Sequence, residues 1–196
     1  MGSRLSKISA QINDSIKVKN NILQDEKILK QIESVCEQII EVYNNGNKVI
    51  IAGNGGSAAD AQHMAGELVS RFYFDRPGLP AVALTNDSSI MTAIGNDYSF
   101  ERIFSRQIEA NGINGDIFIG ISTSGNSSNI IKALKVAKNK GIITVGLTGK
   151  DGGLMKEECS VCICVPSNET PRIQEAHLVV EHIICYLVEE ALFQNK

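Results

Sequence analysis

The 196-residue sequence lacks the features of a membrane protein, a nucleic-acid-binding protein or a disordered chain. Its longest apolar runs are far shorter than a membrane span, and its first residues do not form a secretory leader. Its formal net charge is −3, whereas dedicated nucleic-acid-binding proteins usually carry a basic face. Charged residues make up only 21% against 43% hydrophobic residues, which is a globular balance. We therefore expect a cytoplasmic protein that contacts neither a membrane nor a nucleic acid.

The cysteines are odd in number and scattered, which is a poor arrangement for a disulfide framework. Five cysteines are present, and an odd number without a secretory leader argues against a disulfide framework. Cys159 and Cys162 form a C-x-x-C pair, but a tetrahedral zinc site would require a second pair, which the sequence lacks. Cysteine alternates with Val and Ile over residues 161–165. This pattern favours a buried strand in which cysteine serves as a small hydrophobe over a metal or redox site.

The sequence does contain a regular alternation of short apolar runs and helical patterns. The apolar runs are residues 48–52, 81–84, 117–121, 142–147 and 161–165. Helical patterns separate them, including one over residues 57–74, and a long final helix is predicted over residues 170–193. This alternation predicts an α/β three-layer sandwich, in which helices flank a five-stranded parallel sheet.

A helical pattern over residues 4–43 precedes the first apolar run. Ile8, Ile12 and Ile16 recur at helical spacing within it. Because we expect little of the sheet to remain uncovered, this segment is predicted to form an arm that packs on the domain or on another subunit. The chain is thus divided into an N-terminal arm, residues 1–47, and one domain, residues 48–196.

The loop after the third apolar run has the composition of a phosphate site. Four hydroxyl residues and a glycine lie between a buried strand and a helix; the hydroxyl residues are Ser122, Thr123, Ser124 and Ser127. Hydroxyl groups, free backbone N–H groups and the positive end of a helix dipole together suit a phosphate. A single serine would be enough to cap the helix. We therefore favour a phosphate cradle over an ordinary polar turn.

The loop after the first apolar run is rich in glycine. Residues 53–58 match the G-x-G-x-x-A pattern of dinucleotide-binding loops. That pattern requires an acidic residue at the end of the next strand, and Asp75 instead lies in a loop before Pro77. Neither polar loop contains the lysine of a P-loop. A sugar or phosphate ligand therefore fits better than a nucleotide.

Two of the three histidines lie on helices that could face one cleft. His63 and Glu67 are four residues apart, so they share one face of a helix. Such a pair can bind a metal or act as an acid/base couple, although a weak surface pair is the commoner outcome. Gln174 and His182 lie two turns apart on the final helix. A histidine in an apolar helix is more often a core residue than a ligand, so spacing alone does not decide.

Several short motifs follow one another along the chain. They are residues 52–58, His63 with Glu67, residues 95–97, residues 120–127, residues 147–153 and residues 172–177. In this order and spacing they resemble the sugar isomerase (SIS) domain superfamily and, within it, the phosphoheptose isomerase family. The resemblance runs over nearly the whole chain and implies that residues 48–196 form a SIS domain with a flavodoxin- or Rossmann-like sheet.

The resemblance implies an activity and an assembly. Members of the family convert sedoheptulose 7-phosphate to D-glycero-D-manno-heptose 7-phosphate through an enediol, and they assemble as homotetramers. The reaction is the first step toward the heptose of lipopolysaccharide core or of capsule, and the sequence does not distinguish these two uses. Some members bind zinc.

The resemblance also implies roles for individual residues. Glu67 and His182 match the catalytic base and acid. The matched substrate-binding residues are Asn54, Gly55, Gly56, Glu67, Asn96, Asp97, Ser122, Thr123, Ser124, Ser127 and Gln174. The matched zinc ligands are His63, Glu67, Gln174 and His182. A metal held by the base and the acid would compete with their proton transfer.

A second function remains open at this point. Some SIS proteins are non-catalytic and bind the bacterial replication initiator; these relatives lack the residues that match Glu67 and His182. A sugar-phosphate-sensing module is a third possibility, but such modules are usually fused to a further domain. Because both Glu67 and His182 are present, we favour the enzyme.

Overall fold

The computed structural model describes residues 3–194 and contains seven α-helices and five strands within that range. The strands are β1 (Val49–Gly53), β2 (Ala81–Ala83), β3 (Ile117–Ser122), β4 (Ile143–Gly149) and β5 (Val161–Val165). The helices are α1 (Arg4–Gln24), α2 (Glu26–Asn44), α3 (Gly56–Val69), α4 (Ser88–Asp97), α5 (Ser105–Asn111), α6 (Ser128–Asn139) and α7 (Thr170–Phe193). Residues 1–2 and 195–196, the outer ends of the two predicted units, lie outside the described range.

The five strands form one parallel sheet in the order β2-β1-β3-β4-β5. The predicted α/β sandwich is confirmed. The chain moves outward in one direction from β1 to β2 and in the other direction from β3 to β5. In open parallel sheets, ligands bind beyond the carboxyl ends of the strands at the point where this direction reverses. That point lies between β1 and β3.

Side chains alternate between the two faces of the sheet and build two cores. Ile51 and Ile119 lie in a core with α1, α2, α3 and α7. Their neighbours Ile50 and Phe118 point to the opposite face and lie in a core with α4, α5 and α6. Because α3 and α6 cover opposite faces, the loops after β1 and β3 lead into different helical layers.

The N-terminal helical pattern is interrupted by Asp25, which separates α1 from α2. Its side chain accepts hydrogen bonds from the backbone N–H groups of Lys27 and Ile28, so it serves as the N-cap of α2. The expectation that this region finds little sheet to cover is wrong for α2. Val35 and Ile39 are fully buried in the core that lies on the sheet.

Helix α3 ends at Val69, five residues before the end of the predicted segment 57–74. Arg76 donates hydrogen bonds to the carbonyls of Glu67 and Leu68 and so satisfies the end of the helix. The backbone N–H groups of residues 72–74 bind the buried carboxylate of Glu189 instead of helical carbonyls. These long-range contacts end the helix, and a local hydrophobic pattern does not reveal them.

Strand β5 forms an edge of the sheet and carries the alternating cysteines. All five cysteines are free. Cys162 is buried, as expected for a small hydrophobe, and Cys164 is half-buried. Within residues 3–194, no helix has the length and apolar character needed to cross a membrane.

Candidate active site

The two polar loops predicted from the sequence lie side by side at the carboxyl end of the sheet. Strands β1 and β3 are direct neighbours, and Gly53 pairs with Ile121 at their ends. The glycine-rich loop leads into α3 on one face, and the hydroxyl-rich loop leads into α6 on the other. The crevice between them is the position at which a parallel sheet binds its ligand.

The hydroxyl-rich loop forms a tight turn with three serine hydroxyls close together. Ser122 Oγ lies 2.8 Å from Ser127 Oγ and 3.5 Å from Ser124 Oγ. Ser127 is the N-cap of α6, but its side chain makes no capping hydrogen bond to the first turn. The first-turn N–H groups therefore remain available to an anion, as do the hydroxyls. This geometry agrees with a phosphate cradle.

Glycine is required at the turn of this loop. Gly125 has φ = 68°, and a Cβ at that position would overlap the carbonyl of Gly152. The Gly125 carbonyl also accepts a hydrogen bond from the backbone N–H of Met155. The hydroxyl-rich loop is thus fixed against the segment that follows β4.

The glycine-rich loop brings Gln174 of α7 to the site. Gly55 is the N-cap of α3, has φ = 57° and supplies no side chain to cap the helix. A Cβ at Gly56 would overlap the amide of Gln174, so the absence of a side chain there allows Gln174 to lie against the loop. Asn54 is half-buried and pairs its amide with that of Asn129 in α6.

A cluster of titratable side chains joins α3 to α7. His63 Nε2 lies 2.7 Å from His182 Nε2, although 119 residues separate them in the sequence. Glu67 Oε1 lies 3.6 Å from His63 Nε2. At 2.7 Å one imidazole must donate its Nε2–H and the other must accept, so the two rings share a single proton at this contact. The predicted base, the predicted acid and His63 are therefore neighbours.

These residues have the donor types of a zinc site but not its distances. Two imidazole nitrogens, a carboxylate and an amide oxygen are all zinc ligands in chemical type. The 2.7 Å separation of the two Nε2 atoms is a hydrogen-bond distance, shorter than two zinc-bound nitrogens in a tetrahedron allow. Among residues 3–194, no group of three or more His, Cys, Asp or Glu side chains is arranged to hold a metal ion.

Two acidic residues next to the histidine cluster, Glu181 and the half-buried Asp60, were not predicted from the sequence. Glu181 is completely buried, and neither of its carboxyl oxygens has a hydrogen-bond partner. Burial, together with the nearby Asp60, raises the pKa of Glu181 to about 8. Burial also raises the pKa of Asp60, although His63 partly opposes that shift. No local signal could have identified the pair, because it depends on the packing of α3 against α7.

An aromatic side chain that the sequence analysis also missed flanks His182. The ring of Phe72 lies 5.6 Å from that of His182, centre to centre. The backbone N–H of Phe72 donates to Glu189 at 2.7 Å, and Arg76 donates to the same carboxylate at 2.9 Å. The segment after α3 is therefore held against the histidine cluster by a buried ion pair.

Two of the predicted substrate-binding residues lie on the exposed surface of α4. Asn96 Nδ2 donates to Asp97 Oδ1 at 2.8 Å, so the two side chains bind each other. Their predicted contact with substrate stays a prediction.

Comparisons with known proteins agree with this architecture. The model of the SIS domain family matches residues 12–149. The phosphoheptose isomerase of Aneurinibacillus thermoaerophilus is 68% identical over 189 residues, which cover 96% of each chain. Phosphoheptose isomerase 2 of Campylobacter jejuni is 60% identical over 96% of this chain and 94% of its own.

A solved structure leads to the same family. The phosphoheptose isomerase from Neisseria gonorrhoeae superposes with a TM-score of 0.90 at 38% identity, over 96% of this chain and 100% of that one. The match includes α7, which carries Gln174 and His182 and lies beyond the segment that the family model covers. The chain belongs to the phosphoheptose isomerases, a family of SIS-domain isomerases.

Proposed function

We propose that this isomerase converts sedoheptulose 7-phosphate to D-glycero-D-manno-heptose 7-phosphate by proton transfer through an enediol. The observation that carries the proposal is the contact of His63 with His182 at 2.7 Å, with Glu67 3.6 Å from His63. The cluster lies on α3 and α7, and α3 begins at the glycine-rich loop, which is next to the hydroxyl-rich loop at the end of the sheet. In this proposal one sugar phosphate meets both. The names of the relatives support the substrate.

The residue chemistry matches the two halves of the reaction. The Glu67 carboxylate takes a proton from C1 of the ketose while His182 gives a proton to the carbonyl oxygen at C2, and the enediol forms. The protonated Glu67 then returns a proton to C2, and His182 takes the proton of the C1 hydroxyl as the aldehyde forms. Both residues return to their starting states, so no other reactant is required.

The phosphate supplies binding energy far from the reacting carbons. The Ser122, Thr123, Ser124 and Ser127 hydroxyls and the first-turn N–H groups of α6 would hold it. Asn54, Gly55, Gly56, Gln174, Asn96 and Asp97 would contact the sugar. Fixing the distant phosphate orients C1 and C2 toward the acid/base pair.

The proposal that the site binds zinc rests on the chemical types of four side chains and not on their present distances. His63, Glu67, Gln174 and His182 would hold the ion once the two imidazoles move apart, and a bound zinc would polarise the substrate carbonyl. Metal analysis of the purified protein tests this, with His63→Gln as the comparison. Stoichiometric zinc that is lost in the variant supports the site, and equal zinc in both proteins contradicts it.

We also propose that the chain forms a homotetramer in the cytoplasm, with residues 1–47 as the arm that joins subunits and residues 48–196 as the SIS domain. Helix α1 exposes an apolar stripe that includes Leu5, Ile8, Ile12 and Ile16. Such a stripe is typical of a helix that packs on another subunit. Light scattering should give the mass of four chains, and Ile12→Glu should reduce it. A monomer at micromolar concentration contradicts the assembly.

The turnover assay that tests the function follows the product by NMR. Purified protein with sedoheptulose 7-phosphate should give the aldose 7-phosphate, whereas unphosphorylated sedoheptulose should react far more slowly. No product from the phosphorylated ketose, or equal rates for the two sugars, would overturn the proposal.

A further inference from the structure

An amide pair spans the crevice between the two loops. Asn54 Nδ2 donates to Asn129 Oδ1 at 2.9 Å, and Asn129 Nδ2 donates to Asn54 Oδ1 at 2.9 Å. The two hydrogen bonds close a ring, in which each amide gives one donor and one acceptor. Each amide keeps a second N–H and a second lone pair for another partner.

The burial of the two asparagines shows which of them fixes the position of the other. Asn129 is only 2% exposed, whereas Asn54 is half-buried. Asn129 is the second residue of α6, two residues beyond the N-cap Ser127. A side chain that is buried in the first turn of a helix has few rotamers available. Asn129 is therefore the fixed member, and Asn54 is the member that it holds.

The pair also joins the two helical layers. Asn54 precedes α3 on one face of the sheet, and Asn129 lies in α6 on the other. Neither loop is held by a side-chain cap at its helix N-terminus. The amide pair is thus a direct side-chain link across the crevice in which a ligand is expected.

Asparagine is the side chain that suits this position. A buried amide without partners is costly, so the pair must be kept intact in the folded protein. Aspartate at position 129 would accept one hydrogen bond but not donate the other, and leucine of similar size would make neither. Leucine would therefore leave the amide of Asn54 free to move, and aspartate would hold it by one hydrogen bond instead of two.

We propose that Asn129 is a positioning residue for the isomerase reaction, which holds Asn54 and the glycine-rich loop at a fixed distance from the phosphate loop. This inference rests on the proposed function, because Asn54 is assigned to the sugar there. The side chain of Asn129 touches neither substrate nor reacting atoms in this scheme. It acts through Asn54, so its effect on turnover must depend on Asn54 being present.

A double-mutant cycle on kcat/KM tests that dependence. Asn129→Leu alone should lower kcat/KM for sedoheptulose 7-phosphate by about tenfold to a hundredfold, the scale of a small misplacement of a binding group. In an Asn54→Ala background the same substitution should cost less than about twofold, because its target is already gone. Effects that multiply in the double variant would show a merely structural role and overturn the proposal.

Controls separate positioning from loss of stability. Ile130→Val changes the next fully buried side chain of α6 and should lower the melting temperature without changing kcat/KM. Inorganic phosphate should bind Asn129→Leu as it binds the wild type, because the serine hydroxyls are intact. If Asn129→Leu does not fold, Asn129→Asp keeps one hydrogen bond and should give a smaller loss in the same cycle.

The outcomes distinguish this inference from the proposed function. A wild type that does not turn over the ketose phosphate refutes the function. An active wild type with an equally active, folded Asn129→Leu refutes the positioning role alone.

Discussion

The two halves of the site differ in how the chain builds them. The proposed phosphate loop, residues 122–127, is local: its serines lie within one strand-to-helix turn, and Ser122 Oγ is 2.8 Å from Ser127 Oγ and 3.5 Å from Ser124 Oγ. The histidine cluster is long-range: His63 and His182 belong to different helices and meet only when α3 packs against α7. A local turn can hold an anion by itself, whereas the proposed acid/base chemistry depends on the complete fold.

The largest loss of turnover is expected from substitutions in the histidine cluster. Glu67→Gln keeps the shape of the side chain and removes the base, so kcat should fall by about a hundredfold or more. His182→Gln should lose a similar factor. Inorganic phosphate should bind both variants normally, because the phosphate loop is separate.

Glu41→Gln, an exposed glutamate on α2, serves as the matched control and should keep wild-type turnover. Near-normal turnover of Glu67→Gln would mean that the α3–α7 cluster is not the acid/base site.

A smaller effect is expected at the local half. Ser124→Ala removes one hydroxyl from the phosphate loop and should raise KM by about tenfold, the scale of one hydrogen bond to a charged group. The change in kcat should be much smaller. Ser128→Ala, at the exposed first residue of α6, is the comparison and should leave KM unchanged. If Ser124→Ala lowered kcat and left KM unchanged, the hydroxyl-rich loop would take part in the chemical step, and the proposed division between binding and catalysis would be wrong.

The smallest effect on turnover is expected at the buried carboxyl of Glu181. Its pKa of about 8 lies above the ordinary value of 4.5, so the folded protein favours the neutral form. The contribution of the Glu181 carboxyl to the free energy of unfolding is fully present below pH 4.5 and is lost as the pH rises through about 8. Glu181→Gln imitates the neutral form, so turnover at pH 7 should change by less than about twofold.

Thermal unfolding measures the predicted difference. The free energy of unfolding of Glu181→Gln should equal that of the wild type at pH 4.5. At pH 8 it should be larger than that of the wild type, by on the order of a few kcal/mol. Glu37→Gln, exposed on α2, should show no such trend. A wild type that gains stability over the variant as the pH rises would contradict the raised pKa.

Sequence reasoning succeeded where the signal is local. The five strands, the long final helix and the hydroxyl-rich turn follow from hydrophobic period and composition. It failed where one distant contact overrides a local pattern. Helix α3 stops at Val69 because Arg76 and Glu189 bind the backbone around its end. The apolar stripe of α2 is visible in the sequence, but its packing on the chain's own sheet is not.

The site divides in the same way. The phosphate serines could be proposed from their own loop, but spacing alone favoured a surface pair for His63 and Glu67. The resemblance to a family was needed to connect them with His182. Asn129 binds Asn54 across 75 residues of sequence, and burial together with Asp60 on α3 raises the pKa of Glu181 on α7. No spacing rule reveals either pairing.

Proton transfer by the long-range cluster is tested most directly by running the isomerisation in D2O. The Glu67 side chain is 26% exposed, so a proton that it carries can exchange with solvent between the two transfers. We predict that NMR will show deuterium at C2 of the aldose and, on longer incubation, at C1 of the ketose. Complete conversion without deuterium in either sugar would contradict proton transfer through an enediol.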